Sequence, residues 1–88
     1  MSMYYVYIIE NIADKSWYIG FSTDVFRRIK EHNSKIGGKY TQNKLGRWEL
    51  IYFEGYLNKI DALGREKFLK SGSGRKFIKK QIKNYLLS

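Results

Sequence analysis

The 88-residue chain has no cysteine, no proline and a single histidine. Without cysteine there is no disulfide framework, no thiolate zinc site and no cysteine nucleophile. With one imidazole besides, cages of nitrogen and sulfur ligands are excluded, and any bound metal must be a hard ion held by oxygen. No uninterrupted apolar run is long enough to span a bilayer, and the N-terminus lacks the charged-then-apolar order of a secretion signal. A cytoplasmic protein without a membrane-embedded part is therefore expected. Acidic residues are also scarce: 8 Asp and Glu face 17 Lys and Arg, a formal net charge of +9. That balance points to a polyanionic partner, nucleic acid first and an anionic membrane surface second, with a merely solvated basic surface as the plain alternative.

What the chain does have is enough apolar material for one small domain. Hydrophobic residues make up 43% and aromatics 17%, sufficient for a globular core without staples. A fold of this size hides only about 60–65% of the surface of its unfolded chain. No internal repeat or linker divides the sequence.

Residues 4–10 and 16–21 alternate with period two and are rich in Tyr, Val and Ile, and Asn11 to Asp14 supply turn chemistry, which reads as a β-hairpin. With the loop at Asn11–Asp14, cross-strand partners sum to 25, placing Tyr7 opposite Tyr18 and Tyr5 opposite Gly20 on one face. A helix follows to about Ser34, with Thr23 as its cap and Asp24 in its first turn. Val25 and Ile29 mark its buried stripe, His32 falls between them, Arg28 borders it, and Arg27, Lys30 and Glu31 point elsewhere. The glycine- and lysine-rich stretch 36–46 reads as a mobile basic loop. Residues 47–54, "RWELIYFE", read as an interior strand covered on both faces.

Asn58 caps a second long helix running to Lys70, in which Glu66 is bracketed by Ala62, Leu63 and Leu69. A carboxylate in such company needs a cation or donors to offset its desolvation. "SGSG" at 71–74 breaks the chain, and Ser73 is expected to cap a last helix through about Leu86. Its buried side would be Phe77, Ile78, Gln81, Ile82 and Tyr85; Lys76, Lys79, Lys80 and Lys83 lie on the other. Residues 61–88 hold eight of the basic residues, so the electropositive end is C-terminal.

The ordered series Tyr5-Val6-Tyr7, Tyr18-Ile19-Gly20, Arg28, His32 and a helical Glu66 resembles the GIY-YIG nuclease domain over nearly the whole chain. More narrowly, "YIGFSTDVFRRIKEHN", "GGKYT" and "ALGREKFLK" are similar to stand-alone, single-domain bacterial members. The resemblance implies an α/β (α+β) fold, a small three-stranded antiparallel sheet flanked by helices in the order ββαβαα. It also implies hydrolysis of DNA phosphodiesters with one divalent cation, Mg2+ or Mn2+. It departs from the family pattern twice: Tyr5 stands where the first triplet has glycine, and the asparagine some members carry after the glutamate helix has no clear counterpart in "SGSGRKF".

The chemistry has its own logic for each residue type. A phosphodiester in mid-reaction gathers charge on its nonbridging oxygens, and the planar, permanently charged guanidinium of Arg28 suits it; the alternative is a surface arginine at the stripe's border. Mg2+ takes one or two carboxylates and fills its sphere with water and substrate oxygens, so a lone Glu66 suffices; the alternative is an i,i+4 pair with Lys70. A nearby cation and Arg28 would favour phenolate, allowing Tyr7 or Tyr18 to orient or deprotonate the attacking water; otherwise both are core residues with satisfied hydroxyls. His32 relays a proton, holds a phosphate oxygen, or is a satisfied core histidine. For binding, Lys39, Lys44 and Arg47 around the loop, with Arg75, Lys76, Lys79, Lys80 and Lys83 at the C-terminal end, are candidates to follow a phosphate backbone, and Tyr40 to stack on an unpaired base. The expected partner is DNA with branched, flapped or single-stranded regions. A non-catalytic nucleic-acid-binding module and a protein-interaction domain are the competing classes.

Overall fold

The computed structural model describes residues 2–34 and 39–88, except for the side chains of Lys39 and Gln42. Strands β1 (Tyr4–Asn11) and β2 (Trp17–Ser22) form the expected hairpin, and α1 (Val25–Asn33) and the short α2 (Lys39–Gln42) follow. Strand β3 (Trp48–Tyr56) then precedes three helices, α3 (Lys59–Leu69), α4 (Gly72–Gln81) and α5 (Lys83–Leu87). The sheet is antiparallel with strand order β2-β1-β3. The expected order ββαβαα thus stands, with two short helices added. Helix α2 lies inside the stretch expected to be a loop; residues 36–38 of that stretch fall outside the described residues.

The first strand is the axis of the molecule. From Val6 to Asn11 every residue is buried, because both edges are paired and both faces are covered. On one face Val6 and Ile8 pack with Ile19, Ala62, Leu69 and Ile78 beneath α3 and α4. On the other, Tyr7 and Ile9 pack with Val25 and Trp48 beneath α1. The 47–54 segment is therefore not the interior strand its apolar run suggested. It is an edge, and Phe53 on it is 54% exposed; a short apolar run does not reveal which of three strands is central. Arg65 of α3 fastens this edge through paired bonds of 2.9 and 3.0 Å to Glu54, whose carboxylate also accepts from the hydroxyls of Tyr52 and Tyr56.

The hairpin register also differs. Tyr7 pairs with Gly20, Ile9 with Tyr18 and Tyr5 with Ser22, so partner numbers sum to 27 rather than 25. Asn11 belongs to the strand, and its side chain caps the turn, accepting from the amides of Ala13 at 2.9 Å and Asp14 at 3.3 Å. Lys15 closes the loop in the left-handed region at φ 64°, with its N–H on the Asn11 carbonyl. The loop thereby moves by one residue. A change of two in the sum leaves every side chain on its expected face, and Tyr7 and Tyr18 become diagonal rather than direct neighbours.

Two caps sit elsewhere than expected. Asp24, not Thr23, caps α1 by accepting from the Arg27 amide at 3.1 Å. Ser71, not Ser73, caps α4 by accepting from Gly74, so the glycines of "SGSG" lie within the helix rather than before it. The Asn58 cap is as expected. The last helix does not run unbroken to Leu86 but turns at Ile82 (φ −114°, ψ 30°). That turn leaves Ile78 buried and Ile82 half-buried, while Phe77, Gln81 and Tyr85 are exposed. Phe77 packs instead edge-on to Phe68 under the Arg65 guanidinium.

Gly74 sits where α4 abuts the end of α3: a Cβ there would run into the Phe68 carbonyl and lie 2.6 Å from the Leu69 Cα. Backbone cannot move aside cheaply, so Gly74→Ala is expected to destabilise by about 2–3 kcal/mol, lowering the thermal midpoint by roughly 10 °C or more. Gly64 meets nothing within 4 Å, and Gly64→Ala should stabilise by about 0.5–1 kcal/mol. Thermal denaturation of the two variants checks both signs.

Candidate active site

The glycine of the second triplet makes room for a ring. Gly20 lies opposite Tyr7, and a Cβ added to it would collide with the far end of the Tyr7 ring and its hydroxyl. The phenol therefore lies flat across β2, in space that only glycine leaves open. The Tyr18 ring, on the same face, is 6.4 Å away centroid to centroid.

Helix α1 brings the next two groups. His32 is fully buried; its Nε2 lies 2.9 Å from the Tyr7 hydroxyl, and its Nδ1 lies 2.8 Å from the Thr41 hydroxyl of α2. Burial and the neighbouring Arg28 hold the imidazole's pKa down to about 4, so it is neutral at pH 7. The Tyr7 pKa is pushed far above its ordinary value, chiefly by burial and then by Tyr18, with Arg28 acting against both. Arg28 lies within hydrogen-bonding range of that hydroxyl and also donates to Glu31 at 2.7 Å. One proton arrangement satisfies all of them: Arg28 donates to the Tyr7 oxygen, Tyr7 donates to His32 Nε2, and His32 Nδ1–H donates to Thr41. Tyr7 is thus a proton-holding hydroxyl in this state.

Glu66, on α3, is close enough for its charge to act on Tyr7. Its side chain is 19% exposed, and its carboxylate pairs with Lys70 at 3.2 Å, which was the plain alternative for this residue. Four of the five expected groups, Tyr7, Tyr18, Arg28 and His32, thus lie together, and Glu66 stands on a helix of the other face, near enough for its charge to reach Tyr7. Glu31, Thr41 and Lys70 complete their surroundings; of these, the sequence singled out only Lys70, as the pairing alternative for Glu66. Glu31 was expected to point away from Arg28, yet at i+3 it reaches back along the helix.

The expected nucleic-acid residues divide into groups. Tyr40, on α2, is 47% exposed and stacks on Tyr18, with centroids 6.1 Å apart. Lys44 lies 5.1 Å over the Tyr40 ring and pairs with Asp14 at 3.1 Å. Arg75 and Lys79, one turn apart on α4, line a groove along the free edge of β2. Lys76, Lys80 and Lys83 are exposed on other sides of α4 and α5, and Arg47 is exposed just before β3. Lys39 opens α2; its side chain lies outside the described residues.

The profile of the GIY-YIG catalytic domain matches residues 3–81. The chain belongs to the GIY-YIG family. Among relatives, it is 44% identical over 68 residues to a UPF0213 protein of Haloquadratum walsbyi, covering 77% of this chain and 74% of that one. It is likewise 44% identical over 66 residues to a UPF0213 protein of Streptococcus pneumoniae, covering 75% of this chain and 65% of that one. The solution NMR structure of a UPF0213 protein from Bacillus halodurans superposes with a TM-score of 0.54 at 41% identity, over 94% of this chain and 84% of that one. The fold of a GIY-YIG domain is thereby established, and the family is one of nucleases. Among the described residues no helix is long and apolar enough to cross a membrane.

Two tests follow from the GIY-YIG geometry. The Tyr7 ring is buried and bonded to His32, so a methyl at Gly20 must displace it and break that bond, and Gly20→Ala should destabilise by about 1–3 kcal/mol. The thermal midpoint should fall by roughly 5–20 °C, and a structure of the variant should show the Tyr7 hydroxyl withdrawn from His32 Nε2. The second test uses His32. Its folded pKa lies below its ordinary value of 6.5, so between about pH 6.5 and 4 the unfolded chain takes up a proton that the folded one refuses. The stability this supplies is complete above pH 6.5 and is lost as pH falls toward 4, by roughly 2–3 kcal/mol. Denaturant unfolding across that range should show a shallower pH slope in His32→Asn than in wild type.

Proposed function

We propose that this chain is a Mg2+- or Mn2+-dependent DNA endonuclease acting on branched, flapped or partly single-stranded DNA, in repair or recombination. The supporting observation is the cluster of two phenols, a guanidinium and an imidazole beside β2, with one carboxylate on α3 near enough for its charge to reach Tyr7. A basic molecule with so small a footprint has little surface with which to read sequence, which favours selection by DNA shape.

Glu66 would hold the cation. Among the described residues no cluster of three or more His, Asp or Glu exists, which does not suit an all-protein cage but does suit Mg2+, content with one or two carboxylates plus water and substrate oxygens. Lys70, 54% exposed at its side chain, is long enough to turn aside. When bound, the cation supplies Lewis acidity to the phosphodiester.

The chain's own groups then divide the work. Arg28, oriented by Glu31, donates to nonbridging oxygens as they gain charge; this is stabilisation aimed at the transition state. His32, neutral and fixed by Thr41, holds the Tyr7 hydroxyl in place. Tyr7 keeps its proton in the substrate-free protein and positions the attacking water by hydrogen bonding. Tyr18, half-exposed between Tyr7 and Tyr40, is the better-solvated phenol and the one nearer to open solvent. A second reading, a nucleic-acid-binding module of the same fold that cuts nothing, has one observation in its favour: Glu66 already has a partner in Lys70.

Nicking or cutting of flapped and branched DNA is expected with Mg2+ and is lost in EDTA. Glu66→Gln and Arg28→Ala should each lose at least about 100-fold in rate, with DNA affinity kept within a few-fold; Arg28→Lys does not restore it, because an ammonium lacks the planar fork. A wild-type protein that binds a broad panel of DNA structures and cuts none of them selects the second reading.

A further inference from the structure

The groove along the free edge of β2 continues well beyond the cluster around Tyr7. Next to Tyr18 its walls are Tyr40, Trp17, Lys70 and Arg75. Nearer the hairpin tip the same Trp17, Tyr40 and Arg75 are joined by Lys15 and Lys79 around a cleft of about 340 Å3. We propose that this cleft is a subsite for unpaired nucleotides adjoining the scissile phosphate, with Trp17 as the stacking platform and Lys15 and Lys79 as phosphate contacts. The proposal rests on the nuclease reading only for the position of that phosphate.

Three observations carry it. The first is how Trp17 is held. Its indole N–H donates to Glu10 at 3.0 Å, and the other oxygen of the same carboxylate accepts from the Tyr85 hydroxyl at 3.0 Å. Glu10 is only 9% exposed, and a carboxylate with two neutral donors and no salt-bridge partner among the described residues is costly to bury. What the arrangement achieves is a fixed indole whose polar edge is satisfied, leaving a ring face for a ligand. Glu10 is thus a positioning residue.

The second is Lys15, a non-glycine residue held at φ 64°. Glycine would take that conformation without the steric cost of about 1 kcal/mol, and a strained residue lining a groove is a pointer to function. The third is chemical complementarity. Aromatic faces interleaved with cations bind a single strand, since every base offers a π-face and every link a phosphate. The Arg75 guanidinium stands 6.0 Å over the Trp17 ring, at the outer limit of a cation–π contact, from where it can pass to a phosphate as a base takes the ring. A duplex keeps its base faces stacked and offers none of them to Trp17.

Fluorescence of the full chain in EDTA tests the subsite without any cleavage. Trp48 is buried but lies 6.2 Å from the Tyr40 ring, so the response that counts is the part lost in Trp17→Phe. Titration with an eight-residue oligothymidylate should quench the emission; a blunt duplex of equal length should not. With a labelled oligonucleotide, Trp17→Ala is expected to weaken binding by about 5- to 100-fold. Lys15→Gly relieves the left-handed strain and so keeps the fold, yet should flatten the slope of log K against log salt by about 0.7. Glu10→Gln, with one acceptor oxygen for two donors, should reduce the quench per bound strand more than it reduces affinity. A parallel titration with oligouridylate identifies the preferred backbone, and quenching by either strand supports the subsite. Absence of quenching by both strands, equal quenching by duplex, or an unchanged salt slope in Lys15→Gly overturns it. The two readings fail separately: a protein that cuts DNA in Mg2+ without a Trp17 response loses the subsite alone, and one that responds but never cuts loses the nuclease reading alone.

Discussion

The arrangement depends on one close approach, the Tyr7 ring lying over Gly20. Because the strand opposite has no side chain at that position, a buried phenol crosses β2, meets His32 of α1 and comes within reach of the Glu66 charge on α3. His32 then fixes the hydroxyl from behind at 2.9 Å, and Thr41 fixes His32 at 2.8 Å. The chain of contacts runs from the central strand to an edge of the sheet and from there to a four-residue helix. Each member is buried, so each bond is strong in its low-dielectric surroundings and costly to leave unmade. The neutral imidazole is a result of that burial, not a separate design element.

The same strand serves stability and chemistry. Val6 and Ile8 anchor one core and Ile9 half of the other, while Tyr7, on the second face, carries the hydroxyl. In so small a sheet there is no spare strand on which to mount a site away from the core. The helices divide by face: α1 and α2 supply the groups around the phenols, α3 and α4 supply the carboxylate and the cations of the groove. The β2 edge is where both sets meet, which is why residues as far apart as Tyr40 and Arg75 border one cleft.

Much of this was legible in the sequence because it is periodic or local. Alternation located the hairpin, the helical stripe placed Arg28 and His32 beside the core, and the apolar bracket singled out Glu66. What was not legible depends on through-space detail. The hairpin register turned on whether Asn11 would cap its own turn and Lys15 would accept a positive φ. The interior reading of 47–54 failed because apolar runs do not encode strand order. Trp17 and Glu10 read as ordinary strand residues, and only the return of Tyr85 across 75 positions reveals their pairing. Thr41 stood out only as the end of the stretch "GGKYT", and its role could not be read there because its partner is a side chain on another helix. The lysines looked alike on a wheel, yet Arg75 and Lys79 border the groove and Lys76, Lys80 and Lys83 do not.

The short helix Lys39–Gln42 carries a consequence of its own. Its Tyr40 faces outward against Tyr18, whereas its Thr41, one residue on, is buried against His32, and the Thr41 carbonyl receives the Trp48 indole at 3.4 Å. One turn thus presents an aromatic ring at the surface and steadies the imidazole within, so a change of its backbone alters both environments at once.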